Sequence, residues 1–133
     1  MTRHAVPVLI VDDQAPFWSA ARAVLAMSPG FQPVAEAESG EAAVSGATEL
    51  APELVLMDIH LPGDQRHRGS TRRILWAHPA TVVILLSTYP AADLPLEARQ
   101  CGAATYVHKE DFHPGVLRAV WDEHANDGSA SRQ

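Results

Sequence analysis

The sequence predicts an α/β fold built on a five-stranded parallel sheet of order 2-1-3-4-5, with helices on both faces. Three features of the chain predict it. Continuous apolar runs, among them Pro7-Val8-Leu9-Ile10-Val11, Leu54-Val55-Leu56-Met57 and Thr81 to Leu86, have the uninterrupted hydrophobicity of strands covered on both sides. Segments with apolar residues at helical spacing separate these runs. The alternation recurs from Pro7 to His124, and strands alternating with helices define crossover units whose right-handedness leaves few topologies.

The first strand, Pro7 to Val11, ends on Asp12-Asp13. Pro16 suits a first helical turn, and Phe17, Ala21, Val24 and Leu25 form the inward stripe of a helix closed by Ser28-Pro29-Gly30. Pro33 to Ala37 alternates and contains proline, as an edge strand does. Placing it outermost sets the strand order. Ser39-Gly40 caps a second helix with Ala43, Ala47, Leu50 and Ala51 inward, ended by Pro52. The Leu54 strand runs into Asp58, and Pro62-Gly63 turns the chain away. Asp64 to Ser70 is a polar loop, with Ser70 the expected cap of a short helix, Thr71 to Ala77. The Thr81 strand ends at Ser87-Thr88-Tyr89-Pro90. A fourth helix, Ala92 to Cys101, is distorted by Pro95 and closed by Gly102. Thr105 to His108 is the fifth strand, followed by Lys109, and Pro114 opens a fifth helix with Leu117, Val120, Trp121 and His124 on one side. Residues 126–133 are small and polar, a flexible tail, so that 1–125 form the single domain.

Composition narrows the function. Ten basic against sixteen acidic residues give a charge of −6, which is no footprint for direct DNA binding. No apolar run approaches the roughly 20 residues of a membrane span. The single cysteine, Cys101, allows no internal disulfide and fits a cytoplasmic protein.

Parallel strands bring their C-terminal ends to one rim, and strands 1, 3, 4 and 5 end in Asp12-Asp13, Asp58, Ser87 and Lys109. Clustered carboxylates repel one another unless a cation joins them. An all-oxygen ligand set without cysteine or paired-histidine spacing points to a hard cation, Mg²⁺ foremost. Carboxylate, cation, lysine and hydroxyl describe phosphoryl transfer to an aspartate. Asp58, single and central, is the expected nucleophile; the adjacent Asp12 and Asp13 suit the metal.

Val11-Asp12-Asp13, Leu56 to Gly63, Leu86-Ser87-Thr88, Cys101-Gly102-Ala103 and Tyr106-Val107-His108-Lys109, in this order and spacing, resemble the receiver domain of bacterial two-component response regulators over nearly the whole chain. The resemblance implies a flavodoxin-like fold and a phosphorylation switch that is not an enzyme, promoting only its own phosphorylation and dephosphorylation. It implies phosphoryl transfer from a histidine kinase or small phosphodonor to Asp58. It also implies direct Mg²⁺ ligation by Asp13, Asp58 and the backbone carbonyl of His60, with Asp12 acting through water. Ser87 and Lys109 would hold the phosphoryl group. Movement of Ser87 and inward rotation of Tyr106 would reshape the face of the fourth helix, fifth strand and fifth helix. His60 and Tyr89 would flank the path of attacking water and tune phosphoryl lifetime.

Two departures from the family pattern stand out. Arg66 replaces the glycine expected four positions after Pro62, with Gly69 the nearest, and Pro95 lies within the expected signalling face. Two other functions fit the fold class. A Mg²⁺-dependent phosphatase with an aspartyl intermediate usually carries Asp-x-Asp after strand 1, where this chain has an adjacent pair. Nucleotide or flavin binding needs a glycine-rich loop there, where this chain has carboxylates. Nothing after Trp121 in this sequence has the length of an output domain. The expectation is a complete single-domain regulator acting through a downstream protein partner, with a receiver belonging to a longer protein as the other possibility. Phosphorylation-dependent homodimerisation is a further expectation.

Overall fold

Each apolar run becomes a strand of one parallel sheet. A computed structural model of the chain describes residues 5–59, 69–88 and 101–131. Its strands are β1 (Val6–Val11), β2 (Phe31–Ala37), β3 (Leu54–Asp58), β4 (Val82–Ser87) and β5 (Thr105–His108), in the order β2-β1-β3-β4-β5. Among the described residues the helices are α1 (Ala15–Ala26), α2 (Gly40–Leu50), α3 (Gly69–Ala77) and α4 (Pro114–Ser131). The expected fourth helix, with Pro95, and the positions of His60, Tyr89 and Arg66 to Arg68 lie outside the described residues; α4 is the expected fifth helix.

Strand side chains alternate between faces, which splits the core in two. Val6, Val8, Ile10, Leu54, Leu56, Ile84 and Leu86 pack with Ala21 and Leu25 of α1 and Leu117 of α4. Leu9, Val11, Val55, Met57, Val83 and Leu85 pack with Ala43 and Ala47 of α2 and Ile74 of α3. All five residues of β3 and all six of β4 are buried, as strands with helices on both faces must be.

β2 is an edge strand, and Pro33 sits inside it. The register with β1 runs Val8↔Pro33 and then Leu9↔Ala35, so Val34 bulges outward. A residue without an N–H is tolerated at a sheet edge beside such a bulge.

The helix ends differ from the sequence expectations in three places. Ser39 does cap α2, its hydroxyl accepting from the Ala42 N–H, but Leu50 is exposed rather than inward. Ala51 has left the helix: it is left-handed, at φ 46°, and its N–H donates to the Ala47 carbonyl as a left-handed C-terminal cap, with Pro52 following. Alanine in this conformation costs about 1 kcal/mol relative to glycine. Ala51→Gly is therefore expected to raise the unfolding free energy by about 1 kcal/mol, measured by urea unfolding. In the third helix Gly69 and Ser70 are already helical, and Ser70 and Thr71 are buried, so Ser70 lies within the helix rather than capping it. The last helix runs past residue 125 to Ser131, because extending a formed helix costs far less than nucleating one. Gly102 is left-handed at φ 97°, as a helix-closing glycine would be.

The tryptophans separate by environment. Trp121 meets Phe31 edge to face at 5.9 Å between ring centroids. Trp76 is 90% exposed and lines, with Val44, Arg72 and Arg73, an open groove of about 480 Å³. Trp18 is half-buried beside the rim of the sheet.

Candidate functional site

The register of the sheet decides which residues meet. Val11 pairs with Met57, so Asp12 follows β1 at the level where Asp58 closes β3. Asp58 pairs with Leu86, so Ser87 is one step further along its strand. Ser87 pairs with His108, so Lys109 leaves β5 one step beyond that. The lysine stem spans this stagger by reaching back. Its Nζ lies 2.6 Å from Asp12 Oδ2 and 3.8 Å from Asp58 Oδ1.

Carboxylate oxygens of Asp12, Asp13 and Asp58 lie within 4.8 Å of one another. Asp12 and Asp58 are buried, and Asp13 is exposed at the mouth. Three hard oxygen donors at this separation fit a divalent cation that fills its remaining positions with water, as Mg²⁺ does. Only one fixed positive charge, that of Lys109, is close enough to offset them among the described residues.

Asp12 is tied at every polar group. Its N–H donates to the Ala37 carbonyl at 3.0 Å, and its Oδ1 accepts from the Gln14 N–H at 2.8 Å. Its carbonyl accepts from the Trp18 indole N–H at 2.8 Å, and Oδ2 accepts from Lys109. Asp12 has no exposed surface, and each of its carboxylate oxygens already accepts a hydrogen bond. Asp58 lies between Asp12 and β4.

Ser87 is fully buried at the end of β4. Since Leu85 pairs with Tyr106, and Ser87 with His108, Ser87 and Tyr106 lie on the same face of adjacent strands. Tyr106 is half-buried against the α2/α3 side of the core. His108 is structural: its Nδ1 accepts from the Glu110 N–H, leaving Nε2 to donate to the Thr88 carbonyl at 2.9 Å. It thereby ties β5 to the residue after Ser87.

Periodicity in the sequence places Phe17 in a core stripe and Trp18 among generic helix aromatics. In the structure the Lys109 ammonium lies 4.6 Å from the Phe17 ring centroid, and Trp18 bonds the Asp12 backbone. Spacing assigns a residue to a helix face, but these contacts join residues whose separation has no regular period.

Fold and rim together define an α/β domain with a cluster of three carboxylates beside a lysine and a serine. The chain belongs to the response regulator receiver domain family, which it matches over residues 8–121. It is 36% identical over 115 residues to the response regulator GacA of Pseudomonas viridiflava, covering 86% of this chain and 53% of that protein. It is 36% identical over 104 residues to protein-glutamate methylesterase/protein-glutamine glutaminase 4 of Geobacter metallireducens, covering 75% of this chain and 29% of that one. Among solved structures, the LuxR-family two-component response regulator from Aurantimonas sp. SI85-9A1 superimposes with a TM-score of 0.77 at 27% identity, covering 92% of this chain and 86% of that chain. The chain spans about half the length of curated response regulators such as GacA. Among the described residues, no helix is long and apolar enough to cross a membrane.

Proposed function

We propose that this chain is a phosphorylation-activated signalling switch whose acceptor is Asp58. The observation that carries the reading is the meeting of three carboxylates with one lysine ammonium at 2.6 and 3.8 Å on the C-terminal rim of the sheet. An Asp58 oxygen attacks the phosphorus of a donor, a phosphohistidine on a histidine kinase or a small phosphodonor. The bond from phosphorus to the leaving group breaks, and its electron pair departs with that group. Mg²⁺ held by Asp13, Asp58 and the His60 carbonyl, with Asp12 through water, would supply positive charge for the phosphoryl oxygens. Lys109 supplies a second positive charge, and the Ser87 hydroxyl donates to a phosphoryl oxygen. Tyr106, on the same face as Ser87, would follow that hydroxyl and transmit the change to the surface of β5 and α4. The burial of Asp12 and the hydrogen bonds on both of its carboxylate oxygens argue against a phosphatase with its nucleophile after strand 1.

The match to part of a methylesterase and part of GacA supports a module joined to unlike outputs. The output here, through a downstream protein partner, an attached domain or a phosphorylation-dependent homodimer, is part of the proposal, as is a cytoplasmic location.

Incubation with acetyl phosphate and Mg²⁺ is expected to add one phosphoryl group by intact mass, and EDTA to prevent it. Asp13→Asn removes one charged oxygen donor and is expected to weaken Mg²⁺ binding about 10- to 100-fold, read from the Mg²⁺ dependence of the rate. Uptake indifferent to EDTA would contradict the reading.

A further inference from the structure

A lysine ammonium is a point charge on a four-carbon stem and has many rotamers. Here it must be held between Asp12 and Asp58 from a strand end two register steps away. We propose that Phe17 and Trp18, in the first turn of α1, are positioning residues for this site: Phe17 holds the Lys109 ammonium, and Trp18 holds the Asp12 backbone to which that ammonium is bonded. The proposal rests on the phosphoryl-transfer reading of the rim.

The Lys109 Nζ lies 4.6 Å from the Phe17 ring centroid, inside the range where the negative face of an aromatic ring attracts a cation. Lys109 is only 14% exposed in its side chain, so water weakens that attraction little. The ring is itself braced. Phe112 packs at 6.5 Å between centroids, and its N–H donates to the Lys109 carbonyl across the short turn Lys109–Asp111. The turn that carries the lysine therefore also carries the ring that fixes Phe17. On the other side, the Trp18 indole N–H reaches the Asp12 carbonyl at 2.8 Å. With the Gln14 N–H on Oδ1 and Ala37 on the Asp12 N–H, it leaves Asp12 no freedom to follow the lysine elsewhere. Consecutive side chains of one helical turn thus fix both partners of the pair. Leucine at position 17 would fill much of the same space, but only an aromatic face attracts the ammonium. That difference separates positioning from packing.

The experiment compares wild type, Phe17→Leu, Phe17→Tyr and Trp18→Phe for the rate of phosphorylation by acetyl phosphate at saturating Mg²⁺. Proton NMR follows the Lys109 ε-methylene in parallel. Phe17→Leu is expected to react about three- to tenfold more slowly, and Phe17→Tyr to restore the rate. Trp18→Phe, which keeps the ring and loses the N–H, is expected to slow it about two- to fivefold. The Lys109 methylene, shifted upfield by the ring in wild type and Phe17→Tyr, is expected to return to its ordinary position in Phe17→Leu. A Phe17→Leu protein that reacts like wild type, a Phe17→Tyr protein as slow as Phe17→Leu, or an unshifted Lys109 resonance overturns the positioning role alone. A wild type that accepts no phosphoryl group while Lys109 remains ring-shifted overturns the reading of the rim, and the positioning role with it.

Discussion

Asp58→Asn is expected to take up no phosphoryl group and to remain folded, with a thermal midpoint equal to or above that of wild type. The amide offers no anionic oxygen to attack phosphorus. Neither remaining carboxylate replaces it: both oxygens of Asp12 are engaged, and Asp13 is at the exposed mouth, away from the buried centre of the rim. The stability follows from charge. An ionised Asp58 faces two carboxylates within 4.8 Å, and removing its charge is expected to relieve that repulsion. Intact mass after acetyl phosphate treatment and a calorimetric scan read the two halves of the prediction. A lower midpoint would show that Asp58 is held by contacts stronger than the repulsion.

Lys109→Met is expected to slow phosphorylation about a hundredfold or more, because it removes a fixed positive charge from beside the transferring group. It should also destabilise the protein by about 3 kcal/mol in the absence of Mg²⁺. Asp12 has no exposed surface, and breaking a mostly buried pair leaves its carboxylate uncompensated. The three carboxylates then lack their ammonium, so the variant is expected to bind Mg²⁺ more tightly than wild type. Its midpoint should rise more steeply with added Mg²⁺, since a ligand that binds only the folded state stabilises it in proportion to affinity. Urea titrations with and without Mg²⁺ measure this. Equal Mg²⁺ dependence in both proteins would separate the lysine from the carboxylate cluster.

The strands and their ends were legible because apolar runs buried on both faces leave little ambiguity, and each stops on a polar residue. Asp58 closes β3, Ser87 closes β4 and Lys109 follows His108, as the runs imply. Strand order followed from Pro33, which only an edge accommodates. The helix ends were less legible. Leu50 and Ala51 fit the inward stripe of α2, yet the chain has already turned out at Ala51, with Pro52 following. Ser70 has the chemistry of a cap and is instead buried within α3. The supports of the site were hidden for another reason. Hydrophobic period identifies Phe17 as inward-facing without saying that a lysine from the far end of the chain lies across its ring. Nothing in the sequence aims the Trp18 N–H at the carbonyl of Asp12, or His108 at Thr88.

Borohydride reduction of the phosphorylated protein, followed by peptide mass spectrometry, locates the acyl phosphate, because a phosphorylated aspartate is reduced to homoserine. Homoserine is expected at position 58, formed only when both phosphodonor and Mg²⁺ were present. Homoserine at Asp12 or Asp13, or unmodified aspartate at all three positions, would contradict the assignment of Asp58 as the acceptor.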